Sequence, residues 1–151
     1  MVVSSSYLID TNILLRILKP NNPEFYLLRS LLNFFYRNGT QLFYASQNLI
    51  EFWNVLTRPI NQNGYGLTAA EADKEAKRIE KTFLFLKDTE AIHDEWRKLV
   101  VTYSVSGAKV HDAHLVAVMK VYGVSHVLTL NVRDFTRYKE ITAVHPTQIT
   151  V

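Results

Sequence analysis

The stretch Tyr7-Leu8-Ile9-Asp10-Thr11-Asn12-Ile13-Leu14-Leu15 decides the fold. Its first three residues form a short apolar run, which predicts a buried strand that ends at Asp10. A helix should follow and stop at Lys19-Pro20, because a proline ends most helices. The face of this helix that points to the core carries four apolar residues at helical spacing: Ile13, Leu14, Ile17 and Leu18. The polar residues at the junction, from Asp10 to Asn12, therefore lie between a strand and a helix.

The remainder of the sequence continues this alternation of strands and helices. Short apolar segments predict strands at residues 42–44, 126–129 and 141–144, and residues 84–86 either begin or precede another. Helical spacing predicts helices over about 23–37, 46–58, 92–103 and 111–122, and a capping box at Thr68–Glu71 starts one more. The predicted N-cap of the helix over 46–58 is Ser46. Such alternation predicts a parallel sheet covered by helices on both faces.

Length and composition limit the class of protein. The 151 residues predict a single domain over residues 1–151, since compact domains commonly contain roughly 100–150 residues. Hydrophobic residues make up 48% of the chain and charged residues 21%, which is typical of a globular protein. A net charge of +3 and a pI near 9.1 indicate a polyanionic partner only weakly, because many basic proteins bind no nucleic acid.

The sequence contains no cysteine, which excludes disulfides, zinc–thiolate sites and cysteine nucleophiles. This absence agrees with a reducing compartment. The first six residues lack the basic start and long apolar run of a signal peptide. No apolar stretch approaches the roughly 18 residues that a membrane span requires. We therefore expect a cytoplasmic protein that does not enter a membrane.

Four acidic residues lie where an α/β sheet places functional groups, just after strands or at the starts of helices. Asp10 follows the first strand, Glu51 lies in the first turns of the helix after the second strand, and Asp112 begins the helix over 111–122. Asp134 follows the strand that ends at Thr129. Carboxylates that converge on one cleft repel each other, and a hard divalent cation removes that penalty. An ion held there could bind a phosphodiester oxygen and activate a water.

Each acid also has a purely structural interpretation. Asp10 and Asp112 could cap the helices that they precede, and Asp134 could lie in a turn. Glu51 is harder to explain in this way, because its neighbours Ile50 and Phe52 are apolar and a buried charge usually has a partner or a metal. The joint placement of the four acids at strand ends, rather than any one of them, favours a metal site.

At these residues the sequence resembles the PIN-domain nucleases, and in particular the VapC-like toxins of type II toxin–antitoxin systems. The resemblance spans nearly the whole chain. It rests on Glu51 and on three motifs: Leu8-Ile9-Asp10-Thr11-Asn12-Ile13-Leu14-Leu15, His111-Asp112-Ala113-His114-Leu115-Val116-Ala117 and Leu128-Thr129-Leu130-Asn131-Val132-Arg133-Asp134-Phe135. It implies a three-layer α/β/α fold with a twisted parallel sheet of about five strands. It also implies an endoribonuclease that uses Mg²⁺ or Mn²⁺, an antitoxin partner and a homodimer.

The resemblance assigns roles to individual residues. It implies that the metal-site acids are Asp10, Glu51 and Asp112, with Asp134 as a more variable fourth acid. It implies supporting polar roles for four neighbours: Thr11, Asn12, Thr129 and Asn131. Many members of the family carry an aspartate where this chain has Asn131, so the second metal position is expected to be weaker.

Basic residues could contact RNA phosphates. Lys74, Lys77, Arg78 and Lys81 share one face of a predicted helix, but the acidic residues around them favour a solvated surface. Lys109, just before the third acid, and Arg16, on the first helix, are further candidates. Of these, the predicted RNA-binding residues are Lys109, Arg16, Lys77 and Arg78. His111 and His114 are spaced for metal ligation, but the sequence places no third nitrogen ligand beside them.

Two alternatives to a nuclease remain at this point. The first is a PIN-like domain that binds RNA or a protein without cleaving, which Asn131 favours. The second is a nucleotide-binding doubly wound domain, which lacks support because no glycine-rich phosphate loop follows Asp10. Aromatic residues make up 12% of the chain. Most of them should pack in the core, and the remainder could form an apolar patch for a dimer or an antitoxin helix.

Overall fold

Five short strands form one parallel sheet in the computed structural model, which describes residues 6–151. The strands are β1 (Ser6–Ile9), β2 (Gln41–Ala45), β3 (Leu84–Leu86), β4 (His126–Leu128) and β5 (Thr142–Val144). Their order across the sheet is β3-β2-β1-β4-β5, with every neighbouring pair parallel. The central strand is β1. The predicted α/β class and the five-stranded parallel sheet are confirmed.

Six helices connect and cover the strands. They are α1 (Thr11–Arg16), α2 (Phe25–Arg37), α3 (Ser46–Thr57), α4 (Ala69–Thr82), α5 (Glu90–Thr102) and α6 (Val110–Tyr122). The capping box at Thr68 and Glu71 is present, with reciprocal hydrogen bonds of 3.1 and 3.2 Å. The left-handed Gly123, with φ of 70°, ends α6. Within residues 6–151 no helix combines the length and the apolar character that a membrane span needs.

The end of the first helix and the N-cap of α3 differ from the prediction. The first helix ends at Arg16 rather than at Lys19-Pro20, since the following amide groups of Leu18 and Lys19 bond three residues back instead of four. The predicted N-cap Ser46 is already inside α3, and Ala45 is the N-cap residue. The side-chain oxygen of Asn48, the third residue of α3, accepts the Ala45 N–H at 2.8 Å, which is the half of a capping box that satisfies the N-cap N–H.

The sheet separates two apolar cores. Tyr7 and Ile9 of β1 pack on one face against α1, α2, α3 and α4. Leu8 points to the other face, where it packs against α5 and α6. This is the alternation expected of a strand, whose successive side chains point to opposite faces. The arrangement is the three-layer α/β/α architecture, and it fixes β1 rigidly in the centre.

The parallel topology brings the carboxyl ends of β1, β2 and β4 to one edge of the sheet. The N–H of Asp10 donates to the carbonyl of Leu128 at 3.0 Å, and the N–H of Thr129 donates to Val144 at 3.0 Å. The first residues after β1 and β4 are therefore held side by side. Clefts at this edge are where open α/β sheets bind ligands.

Candidate active site at the carboxyl end of the sheet

Asp10 is the most firmly positioned acid of this edge. It is the N-cap of α1, and its Oδ1 accepts the N–H of Thr11 at 2.8 Å. Its Oδ2 accepts the hydroxyl of Thr129 at 2.7 Å and the side-chain amide of Asn12 at 3.3 Å. Burial raises the pKa of Asp10, the bonds from Thr129 and Thr11 oppose that rise, and the charge of Asp134 adds to it. The capping interpretation of Asp10 and its place in the acid cluster hold at the same time.

Thr129 joins the two central strand ends. Its side chain is completely buried, and besides donating to Asp10 its hydroxyl accepts the N–H of Asn131 at 3.0 Å. Asn12 contacts the same hydroxyl at 3.4 Å and accepts the N–H of Leu130 at 3.3 Å. The predicted polar neighbours of Asp10 therefore form one hydrogen-bonded network across β1 and β4, in which Asn131 takes part through its backbone.

A second buried contact ties α3 to this network. Asn48 is fully buried and donates to the hydroxyl of Thr11 at 3.2 Å. Because Asn48 also accepts the Ala45 N–H, it links the end of β2 to the start of α1. Sequence reasoning missed Asn48. Its spacing of three residues before Glu51 is the available signal, since residues three apart share a helical face.

Glu51 lies on α3 beside Asp10. Its Oε1 atom is buried and has no hydrogen-bond partner among residues 6–151. Burial raises the pKa of Glu51, the Gln47 side chain opposes this, and the charge of Asp10 raises the pKa further. A buried carboxylate oxygen without a partner costs stability unless a cation or a ligand contacts it.

Asp112 lies in the first turn of α6 and completes the inner part of the cluster. Burial and the charges of Asp134, Asp10 and Glu51 raise its pKa to about 6, and only Lys109 acts in the opposite direction. Coulombic coupling of this kind requires the groups to be close together. The four acids that the sequence singles out therefore share one electrostatic site.

Asp134 and Lys109 form the outer part of the cluster. The Lys109 Nζ lies 2.6 Å from Asp134 Oδ1 and 4.0 Å from Asp112 Oδ2. The hydrogen bond and the charge of Asp134 raise the pKa of Lys109. Lys109 was predicted to contact RNA phosphates, and the structure places its ammonium among the acids.

The donor set suits a hard divalent cation. The site has four carboxylates that repel one another, and one of them has a buried Oε1 atom without a partner. A bound Mg²⁺ or Mn²⁺ would relieve this repulsion, and such ions usually bind through one or two direct carboxylates and several waters. Within residues 6–151, no three acidic or imidazole side chains lie close enough together to hold a metal ion between them. An ion bound here would therefore keep much of its water. Asp10 and Asp112 are the residues that would hold it, with Glu51 as direct or water-mediated support.

Gln47 connects α3 to α6 next to Glu51. Its Nε2 donates to the carbonyl of His111 at 2.9 Å, and its Oε1 lies 2.6 Å from His114 Nδ1. The other ring nitrogen of His114 lies 3.9 Å from Asp88, and burial lowers the pKa of His114. Both ring nitrogens of His114 therefore face polar groups of the protein. Gln47 was also missed from the sequence, although it precedes Glu51 by four residues on the same helical face.

The other predicted RNA-binding residues lie in surface ion pairs with separate carboxylates. Arg16 pairs with Glu24 at 3.8 Å, Lys77 with Asp73 at 2.9 Å and Arg78 with Glu75 at 3.5 Å. The two pairs of α4 fit the solvated-surface interpretation of that helix. Within residues 6–151, Lys109 is the one of these four predicted RNA-binding residues that forms ion pairs with members of the acid cluster.

Comparisons with known proteins agree with this fold. The family model described as PIN domain matches residues 7–141. VapBC2 from Rickettsia felis, bound to promoter DNA, has a similar chain with a TM-score of 0.69 and 12% identity over 93% of this chain and 98% of that one. For VapBC-1 from nontypeable Haemophilus influenzae the TM-score is 0.68 and the identity 16%, over 94% of this chain and 98% of that one. For Mycobacterium tuberculosis VapC20, a sarcin–ricin loop-cleaving toxin, the TM-score is 0.58 and the identity 16%, over 80% of this chain and 86% of that one. No curated protein matches by sequence.

Proposed function

The chain belongs to the PIN-domain family, and on that premise we propose that it is a metal-dependent endoribonuclease, the toxin component of a toxin–antitoxin pair. The observation that carries the proposal is the coupled acid cluster at the carboxyl end of the sheet, with Asp10 oriented by Thr129. The similar chain of VapC20 is described as cleaving an RNA loop, which favours RNA as the substrate class. The absence of cysteine is compatible with the cytoplasm, where we propose that the protein acts.

Asp10, Asp112 and Glu51 would hold one Mg²⁺ or Mn²⁺. A bound ion of this kind supplies Lewis-acid stabilisation of phosphoryl charge and lowers the pKa of a water. The chain itself fixes the ligands: Thr129 and Asn12 set the orientation of Asp10, and α3 presents Glu51 next to it.

The test is hydrolysis of a mixed-sequence single-stranded RNA by the purified protein. We expect cleavage with Mg²⁺ or Mn²⁺, its loss in EDTA and its return when the ion is restored. By family resemblance the products should carry a 5′ phosphate and a 3′ hydroxyl. Asp73→Asn on α4 is the matched control, because it removes an aspartate that lies in a surface ion pair. Cleavage that survives both EDTA and Asp10→Asn would refute the proposal.

We further propose an antitoxin partner and a homodimer. An open groove of about 610 Å³ runs between α1, α2 and α4, and apolar residues such as Ile17 and Phe25 line it together with Arg29. The similar VapBC chains are described in complexes with their partners. On the β3 side, Ile50, Leu84 and Phe85 are exposed and available for association. Gel filtration that returns a strict monomer would contradict the dimer.

The second candidate is a PIN-like domain that binds RNA or a protein without cleaving. It is favoured by the neutral Asn131 and by the ammonium of Lys109 within the acid cluster. The same RNA assay separates the candidates, when it is combined with a metal titration. Metal binding without cleavage of RNA would favour this second function.

A further inference from the structure

We propose that Lys109 is a built-in cation that occupies the outer half of the acid cluster, so that the site takes one divalent ion rather than two. The outer half is defined as Asp134 and the face of Asp112 that points to Lys109. This inference rests on the proposed metal-dependent function and specifies how many ions that function uses.

The first argument is geometric. The Nζ of Lys109 lies 2.6 Å from one Asp134 oxygen and 4.0 Å from one Asp112 oxygen, which places a positive charge between the two outer carboxylates. A divalent ion that used both carboxylates would occupy this same space. Such an ion would have to displace the ammonium before it could bind.

The second argument comes from the backbone that carries Lys109. The residue ends a single 3₁₀ turn, Gly107–Lys109, which leads directly into α6. Gly107 has a φ of 60° in the left-handed region, so the turn has a conformation that most residues adopt poorly. Asp112 follows three residues later on α6, on the same side of the helix as Lys109. The turn therefore places the Lys109 ammonium next to the carboxylates of Asp112 and Asp134.

The third argument is charge. The four carboxylates and the Lys109 ammonium carry a net charge of −3 when all are ionised, by formal charges. One divalent ion reduces this to −1, whereas two ions beside the ammonium would leave a charge of +1. Asn131 sits next to this group and contributes no further negative charge. A second ion beside the ammonium would therefore give the cluster a net positive charge, whereas without the ammonium two ions would neutralise the four carboxylates.

The experiment is a titration of metal-free protein with Mn²⁺, in which free ion is counted by electron paramagnetic resonance. We expect one bound ion for the unaltered chain and two for Lys109→Met, which keeps an aliphatic side chain and removes the charge. Lys109→Arg keeps the charge and should bind one. The matched control is Lys77→Met, which breaks a lysine–aspartate pair of 2.9 Å on α4 and should leave the count at one.

The outcomes separate this inference from the proposed function. Two ions on the unaltered chain, or one on Lys109→Met, would overturn the role of Lys109 and leave the metal-dependent function standing. No bound ion on the unaltered chain would overturn both. A thermal melt of each variant accompanies the titration. Lys109→Gln replaces Lys109→Met if the latter does not fold, and its expected count is also two.

Discussion

The two halves of the acid cluster are built in different ways. The inner half centres on Asp10, whose carboxylate accepts three hydrogen bonds from groups on α1 and at the end of β4. In the outer half, Asp134 is held by one lysine whose side chain is 48% exposed. Buried hydrogen-bonded networks specify a single geometry, whereas an exposed ion pair contributes little to stability. From this difference we propose that the inner half determines the chemistry and that the outer half adjusts charge.

The largest effect in this comparison is expected from Asp10→Asn. Asparagine nearly preserves the shape of the side chain but removes the charge of the most firmly positioned ligand, so RNA cleavage should fall about 1,000-fold, equivalent to several kcal/mol of transition-state stabilisation. Single-turnover cleavage rates at saturating Mg²⁺ measure it. A fall of less than about tenfold would mean that the inner half is not the metal-binding half.

The second prediction removes the hydroxyl that orients Asp10. In Thr129→Val the side chain keeps its volume, but Asp10 and the N–H of Asn131 both lose a partner. We expect metal affinity to fall about 10- to 100-fold and the free energy of unfolding to fall by about 1–3 kcal/mol. Thr129→Ser keeps the hydroxyl and should restore metal affinity. Equal metal affinity in the valine and serine variants would contradict the positioning role.

Most of the fold could be predicted from the sequence, because hydrophobic periodicity reports burial directly. The end of α1 could not. Ile17 and Leu18 still pack against the core after the helix has ended, so their apolar spacing extends beyond the helix itself. Periodicity records which side chains are buried and not where the backbone hydrogen bonds stop.

The grouping of the acids could also be predicted, because parallel strands that alternate with helices end at the same edge of the sheet. The residues that form ion pairs and hydrogen bonds around these acids could not all be predicted. Lys109 and Asp134 lie in separate turns that become neighbours only after folding, and no local pattern encodes that distance. Gln47 and Asn48 carry weak helical-spacing signals, but a polar residue on an amphipathic helix is usually a solvated one.

The third prediction concerns pH. In the metal-free protein the folded-state pKa of Asp112 is about 6, above the ordinary value of 3.8. The folded state therefore binds the proton more tightly than the unfolded state, and stability present at low pH is lost as pH rises from about 4 to 6. The loss should be on the order of 2 kcal/mol. Thermal melts across this range measure it.

Asp112→Asn is the control for this pH dependence. The difference between its stability and that of the unaltered chain at each pH isolates the contribution of Asp112 from those of the other carboxylates. The loss of stability with rising pH should shrink when Mg²⁺ is added, because the ion stabilises the charged form of Asp112. A metal-free chain that loses no stability relative to Asp112→Asn as pH rises from 4 to 6 would contradict the strong coupling within the cluster.

The smallest effect is expected from Asp134→Asn. The substitution breaks the pair with Lys109, but that pair is partly exposed and should contribute no more than about 1 kcal/mol to stability. It also leaves Lys109 next to Asp112, so cleavage should fall by about tenfold or less, well short of the loss in Asp10→Asn. Because the two substitutions remove the same charge from the same cluster, the ratio of the two cleavage rates measures how differently the two halves contribute to catalysis. Equal losses in the two variants would mean that burial and hydrogen bonding at Asp10 confer no catalytic advantage over an exposed ion pair.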